Sequence, residues 1–397
     1  VLWLAKGLGR GGAERLLVNG ARHRDADRYR VEAAYLLPWK DALAEELAAT
    51  GVRVHCLGRG AEGTADPGWP LRLAALLRAG RYDLVHTHMP VPAAAARVLT
   101  AGLGGTALTG RHTVLVHTEH NMWPRYRRPT RWANAATYRR NAAVIAVSRG
   151  VAETIPSGWL PGGSRDALHT IHHGPDLGGA PVGTAARKAA RAALGIAEDA
   201  LVVGTVANFT PKKDQRTLLA AHQLLRAEHP QAVLVLIGSG PLEDELRARA
   251  RALGIADSVV FAGSRPDVPM LLPGFDVFTL SSLQEGLPVS LMEAMSTGLP
   301  SVLTAVGGIP EIVDDGVEGL TVLPERPREL AAALAALAAD PARRARVGAA
   351  ARSRSMSFDV RASQAAIEAV YESALRSRGP GSRDSDARGL DSRGSGR

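Results

Sequence analysis

Cysteine is nearly missing from this sequence. Cys56 stands alone among 397 residues, so no internal disulfide can form. Its apolar setting, "VRVHCLG", places it in a core, and the chain is expected to be cytosolic. Aromatic residues make up only 4%, and no basic–aromatic stacking run appears. That weakens the obvious meaning of a net charge of +9, because most arginines are scattered along alanine-rich helices. Nucleic acid is therefore not an expected partner. No apolar run approaches the ~18 residues of a membrane-spanning helix. The first residues, "VLWLAKGLGRGG", read directly as a strand and have no signal-peptide layout. A zinc signature is also lacking. His86 and His88 alternate on one strand and His117 and His120 follow a neighbouring one, but no cysteine or paired carboxylate joins them. No metal and no cofactor are expected.

What is present is periodic. In the first half, "VLWLA", "VEAAYLL", "VRVHCL", "DLVHTH", "TVLVHT" and "AAVIAVS" read as strands, with helical stretches such as "GAERLLVNGARH" and "PLRLAALLRAG" between them. A second series follows with "LVVGTVA", "AVLVLIG", "SVVFAG", "DVFTL", "PSVLT" and "GLTVL". Glycine and proline gather near residues 174–190, which marks the linker. The fold class is thus α/β, with two doubly wound, Rossmann-like domains facing each other across a cleft. Residues 1–178 form the first domain and 179–360 the second. A helix at 361–376 crosses back to the first, and a disordered Gly/Ser/Arg/Asp tail covers 379–397.

The stretch "SSLQEGLPVSLMEAMSTG" at 281–298 carries the most chemistry. A buried strand runs into a turn, and Pro288 suits the first turn of a helix that stops at Gly298. A helix N-terminus seats an anion such as phosphate. Glu285 would sit beside that anion and Glu293 roughly 8 Å along the axis, each able to accept hydroxyl hydrogen bonds. A central diphosphate with a polyol on each side fits that spacing, which describes a sugar nucleotide.

These residues, with "GGAERLL", "HTEHN" at 117–121, "VANFTPKKDQRTLLAAH", "LIGSGPLEDELRARA" and the block from Val259 to Gly316, resemble the retaining GT-B glycosyltransferases of family 4 over nearly the whole chain. The resemblance implies transfer of a sugar from a nucleoside-diphosphate sugar to a hydroxyl of a glycan or lipid-linked acceptor, without a metal. It implies that Glu285 contacts the transferred sugar, Glu293 the ribose and Lys213 the diphosphate, with His120 near the reacting carbon. Gly11 and Gly12 would bring backbone amides onto the phosphates, as would Gly286, Leu287, Pro288, Val289 and Ser290. Gly238 and Gly240 complete the expected donor side. The family's usual phosphate arginine falls at Asn208, leaving Lys212 or Arg265 to replace it. His86, His88 and His117 line the acceptor side. Arg125 and Arg128, in "RYRRPTRW", point to an anionic membrane surface, so a position at the inner face of the membrane is expected. Three rivals remain: a nucleotide-sugar epimerase on the same architecture, a dinucleotide oxidoreductase using Gly7, Gly9 and Gly12, and a non-catalytic nucleotide-binding or surface-binding protein.

Overall fold

The structure is a computed structural model that describes residues 1–62, 64, 66–101, 113–176 and 181–377. The expected tail at 379–397 and the domain junction at 178/179 lie outside the described residues.

The first seven strands are β1 (Leu2–Ala5), β2 (Glu32–Tyr35), β3 (Arg53–Cys56), β4 (Leu84–Thr87), β5 (Val114–Glu119), β6 (Ala143–Ala146) and β7 (Leu168–Thr170). They form one parallel sheet in the order β3-β2-β1-β4-β5-β6-β7. The next six are β8 (Leu201–Val206), β9 (Ala232–Ile237), β10 (Val259–Gly263), β11 (Val277–Leu280), β12 (Ser301–Thr304) and β13 (Gly319–Val322). They form a second parallel sheet, β10-β9-β8-β11-β12-β13. Central strands such as β1, β4 and β11 are buried along their whole length, because helices cover both faces. β1 is apolar throughout, while β4 and β11 also bury the polar side chains of His86, Thr87 and Thr279.

Two expectations fail at sheet edges. β7, in "ALHTIHH", is short, half-exposed and without an apolar run, so its sequence carries no strand pattern. Cys56 is exposed rather than core, because β3 is the edge strand of its sheet and only part of it is covered. Its thiol donates to the Gly58 carbonyl at 3.5 Å.

The helix Val360–Arg376 packs on the first sheet. Ile367, Val370, Tyr371 and Ala374 share a core with Trp3, Val18 and Val116. Trp3 Nε1 donates to the Tyr371 hydroxyl at 3.1 Å, tying the last helix to the first strand. In both sheets the strand order reverses at one place, between β1 and β4 and between β8 and β11. The carboxyl ends of strands at such reversals are where doubly wound folds bind ligands.

Candidate active site

Several of the residues singled out from sequence gather at these two reversals. The loop ending in Gly11 follows β1 and His88 follows β4, while Lys213 follows β8 and Glu285 follows β11.

On the second domain, Lys213 and Glu285 meet each other. Lys213 Nζ donates to Glu285 Oε1 at 2.6 Å, and Ser282 Oγ donates to the same oxygen at 2.6 Å. Ser281 Oγ donates to the carbonyls of Lys213 and Asp214 at 3.1 and 2.9 Å, so the two loops hold one another. Asp214 adopts a left-handed conformation, φ 45°, and its carboxylate accepts the Thr217 N–H. That turn aims Lys213 back at the cleft.

Pro288 does not enter the helix as expected. Its ψ of 100° is extended, so it caps the helix Val289–Ser296 with its carbonyl accepting the Leu291 N–H at 3.1 Å. Val289 and Pro288 are buried, Ser290 is half-buried, and Leu287 packs into the first-domain cluster around Trp123 and Tyr138. Glu293 lies further along this helix. Burial pushes its carboxyl up to about 7, with Arg15 pulling it back.

At Gly286 the two domains pack backbone against backbone. A Cβ there would lie 2.1 Å from the His120 carbonyl oxygen, so only glycine permits this approach. Gly12 stands close to the Val289 side chain. Gly11 is covered by the Glu14 carboxylate, whose acidity is lowered first by burial and partly restored by its own amide, Lys40 and Lys212. Glu14 was not foreseen, although "GGAE" places it in the first turn of the helix Gly12–His23.

Gly238 and Gly240 pack tightly under the carbonyls of Ala207 and Phe209, which accounts for both without a ligand. Asn208 is exposed, and its carbonyl accepts from Gln215 Nε2 at 3.1 Å. The Arg265 guanidinium is held by Asp267 in two hydrogen bonds of 2.8 and 2.7 Å, next to Ser264, whose carbonyl accepts from Arg10 Nη1 of the first domain at 3.4 Å. Lys212 is the better-placed second cation. Burial and the adjacent Lys213 lower its pKa, with Glu285 and Glu14 opposing.

The first-domain wall is made of imidazoles. His86 Nδ1 bonds the Tyr371 hydroxyl at 2.6 Å and His86 Nε2 bonds Thr118 Oγ1 at 2.7 Å. His88 Nδ1 lies 3.4 Å from His120 Nε2. His173, which sequence reasoning missed because β7 was invisible, stacks near His120 with ring centroids 6.0 Å apart. Burial, and then their mutual proximity, keeps His86, His88 and His120 neutral. His173 falls to about 4, chiefly by burial. The Nε2 atoms of His88 and His173 are buried without a partner, beside a cavity of about 20 Å³, room for one water.

His117 does not belong to this wall. Side chains alternate along a strand, so His117 shares the opposite face of β5 with Glu119, while Thr118 and His120 face the cleft. It is buried against Tyr138 at 5.7 Å and accepts or donates to Thr87 Oγ1 at 2.8 Å. Arg125 and Arg128 are exposed on the surface beyond His120, near Trp132, and do not join the cluster. Among the described residues, no group of three or more His, Cys, Asp or Glu side chains is placed to hold a metal ion.

Two facing parallel sheets with apposed loops at their reversals define the GT-B glycosyltransferase class. Similarity to known proteins agrees. The sequence model of Glycosyltransferase Family 4 matches residues 10–178, and that of Glycosyl transferases group 1 matches residues 186–354. EpsF of Bacillus subtilis (strain 168) is 31% identical over 334 residues, spanning 81% of this chain and 83% of its own length. The D-inositol 3-phosphate glycosyltransferase of Streptomyces griseus subsp. griseus is 31% identical over 383 residues, 82% of this chain and 77% of that protein. Anabaena HepE, solved with UDP and glucose, superposes with a TM-score of 0.81 at 22% identity, covering 94% of this chain and 99% of HepE. The chain belongs to the group 1, family 4 glycosyltransferases.

Proposed function

We propose that this glycosyltransferase moves a sugar from a nucleoside-diphosphate sugar to an acceptor hydroxyl, with retention at the anomeric carbon and without a metal. Its setting would be glycolipid or exopolysaccharide assembly. The observation that carries this reading is the Lys213–Glu285 pair held beneath Gly286, against the backbone of His120. An arriving diphosphate competes with Glu285 for the Lys213 ammonium. Once Lys213 turns to phosphate, Glu285 is released as a carboxylate that can accept two hydroxyl hydrogen bonds from the sugar. Lys213 and Lys212 then offset the charge that grows on the leaving diphosphate. Glu293 would take the ribose. The acceptor enters on the histidine side and attacks from the face the diphosphate leaves, passing its proton to that diphosphate. HepE, solved with UDP-glucose, supports a nucleotide-sugar donor.

Membrane contact is proposed on the first domain. Arg125, Arg127 and Arg128 are exposed, Trp132 is 72% exposed, and no acidic residue occurs between His120 and Glu153. Among the described residues no helix is long and apolar enough to cross a membrane. The proposed contact is a peripheral one, made by these arginines and Trp132 with anionic headgroups. Binding to anionic but not neutral vesicles, weakened in Trp132→Ala, is the expected result.

The reaction is tested by nucleotide release from UDP-, GDP- and ADP-sugars, with and without chelator. Slow release from one donor, indifferent to chelator and lost in Glu285→Ala and Lys213→Ala, is expected. Absence of a thermal shift with every nucleotide tried would sink the reading.

A further inference from the structure

Besides the approach of Gly286 to the His120 carbonyl, a second contact joins the domains. Glu311 lies on the short helix Ile309–Ile312, just after β12. Its Oε1 accepts the Gly150 N–H at 2.8 Å, and its Oε2 accepts the Arg149 N–H at 2.8 Å. His172 Nε2 lies 2.8 Å from that second oxygen, with the Arg149 guanidinium at 3.7 Å. All these partners belong to the first domain. Burial alone would raise the Glu311 carboxyl, but the two amides and His172 outweigh it and leave the group more acidic than usual. Both oxygens are therefore occupied by donors from the far side of the cleft. On its own side, the Glu311 carbonyl accepts from Arg354 Nη2 at 3.1 Å.

The segment leading into Glu311 touches the donor loop. Gly307 has φ 56°, and a Cβ on it would lie 1.8 Å from the Glu285 carbonyl oxygen. A Cβ on Gly308 would lie 2.3 Å from the Gly286 carbonyl oxygen and 3.0 Å from Ser148 Cβ. Gly150 in turn approaches the Gly307 carbonyl. Residues 307–311 thus form a strap threaded between the backbone of Glu285–Gly286 and that of Ser148–Gly150. A carboxylate that moved would carry the strap, and with it the loop that faces His120.

We propose that Glu311 is a positioning residue for glycosyl transfer. Anchored across the cleft to Arg149, Gly150 and His172, it sets the register between the Glu285–Gly286 loop and His120. This rests on the reading of that loop as the donor site. Glu311 touches neither substrate in this account, since both its oxygens are spent on the other domain. Its loss is expected to act on domain closure and turnover rather than on nucleotide affinity.

The test uses the full chain as wild type, Glu311→Ala, Glu311→Gln and Glu311→Asp. Gln keeps the shape but offers only one acceptor oxygen, and Asp keeps the charge on a shorter stem. Solution X-ray scattering should give a larger radius of gyration for the Ala and Gln variants than for wild type. Nucleotide release should show kcat lowered at least about tenfold in both, partly recovered in Asp, as expected for a small misplacement of reacting groups. UDP affinity should stay within about twofold, because the proposed nucleotide contacts of Lys213 and Glu293 both lie on the second domain. Unchanged scattering and kcat in the Ala and Gln variants would overturn the proposal. So would a loss of kcat matched by an equal loss of UDP affinity and melting temperature. If wild type neither released nucleotide from any donor nor shifted its melting temperature with any nucleotide, the transferase reading would fail by itself, and the scattering comparison would still decide the role of Glu311 in holding the domains.

Discussion

The first-domain wall of the cleft carries His86, His88, His120 and His173, all neutral, while the second-domain wall carries Lys213, Glu285, Lys212 and Glu293, charged or close to charging. The imidazoles are kept uncharged by burial and by one another, so they can exchange hydrogen bonds with hydroxyls but give an anion no cation to meet. The other wall holds its lysine and carboxylate as a pair that a ligand must separate. On the proposed reading the nucleotide sugar meets the second domain and the acceptor hydroxyl meets the first. Substitutions that erase or exaggerate that division should register in turnover, stability and affinity.

The largest effect should come from Glu285→Ala, which removes a ligand carboxylate and leaves Lys213 without its partner. Donor turnover should fall about 10²–10³-fold, the usual cost of losing one electrostatic contact made at the reacting centre. Gly286→Ala should rival it, because the added methyl meets the His120 carbonyl and keeps the walls apart. Nucleotide release measures both.

Giving the neutral wall a charge is the next step. His88 is buried among other imidazoles, so His88→Lys would bury an unpaired ammonium and should cost about 3–5 kcal/mol in denaturant unfolding. A variant as stable as wild type would show that this wall tolerates charge.

Glu293 separates binding from stability by pH. Its carboxyl is raised to about 7 by burial, so it ionises as pH rises from 6 to 8. Ionisation makes it a stronger hydroxyl acceptor, and donor affinity should improve by about fivefold across that range. Stability moves the other way: the contribution of a raised carboxyl is complete below its unfolded pKa and is lost as pH passes about 7. Glu293→Gln should flatten both trends, melting slightly higher than wild type at pH 8. Calorimetric titration and thermal melts across the range check the pair.

The smallest effect belongs to Arg265→Ala. Its guanidinium is already held by Asp267, so donor affinity should change by less than about threefold, as for other exposed ion pairs. A larger loss would return it to the phosphate site in place of Lys212.

How much was legible follows the same division. Strands buried on both faces, such as β8 and β11, are mainly apolar, and the loops after β11, β4 and β8 carry Glu285, His88 and Lys213 where the pattern ends. Edge strands are only half covered, so Cys56 looked buried and β7 went unseen, taking His172 and His173 with it. His117 was misplaced by one step of alternation. Pairings across the fold were beyond reach: Lys213 and Glu285 meet from the ends of adjacent strands 72 residues apart, and Glu311 meets Gly150 from a distance of 161.

The closing helix has a practical side. Because Tyr371 is bonded to Trp3, the first domain is finished only by residues that come after the second. The chain leaves and re-enters it side by side, at Gly174 and Phe358, where a Cβ on the glycine would lie 1.9 Å from the phenylalanine carbonyl. Topologically the second domain is an insert between those two points. An engineer wishing to exchange donor preference should therefore cut at both crossings and transplant the insert whole, since a fusion made at the first crossing alone would carry away the helix that seals its host.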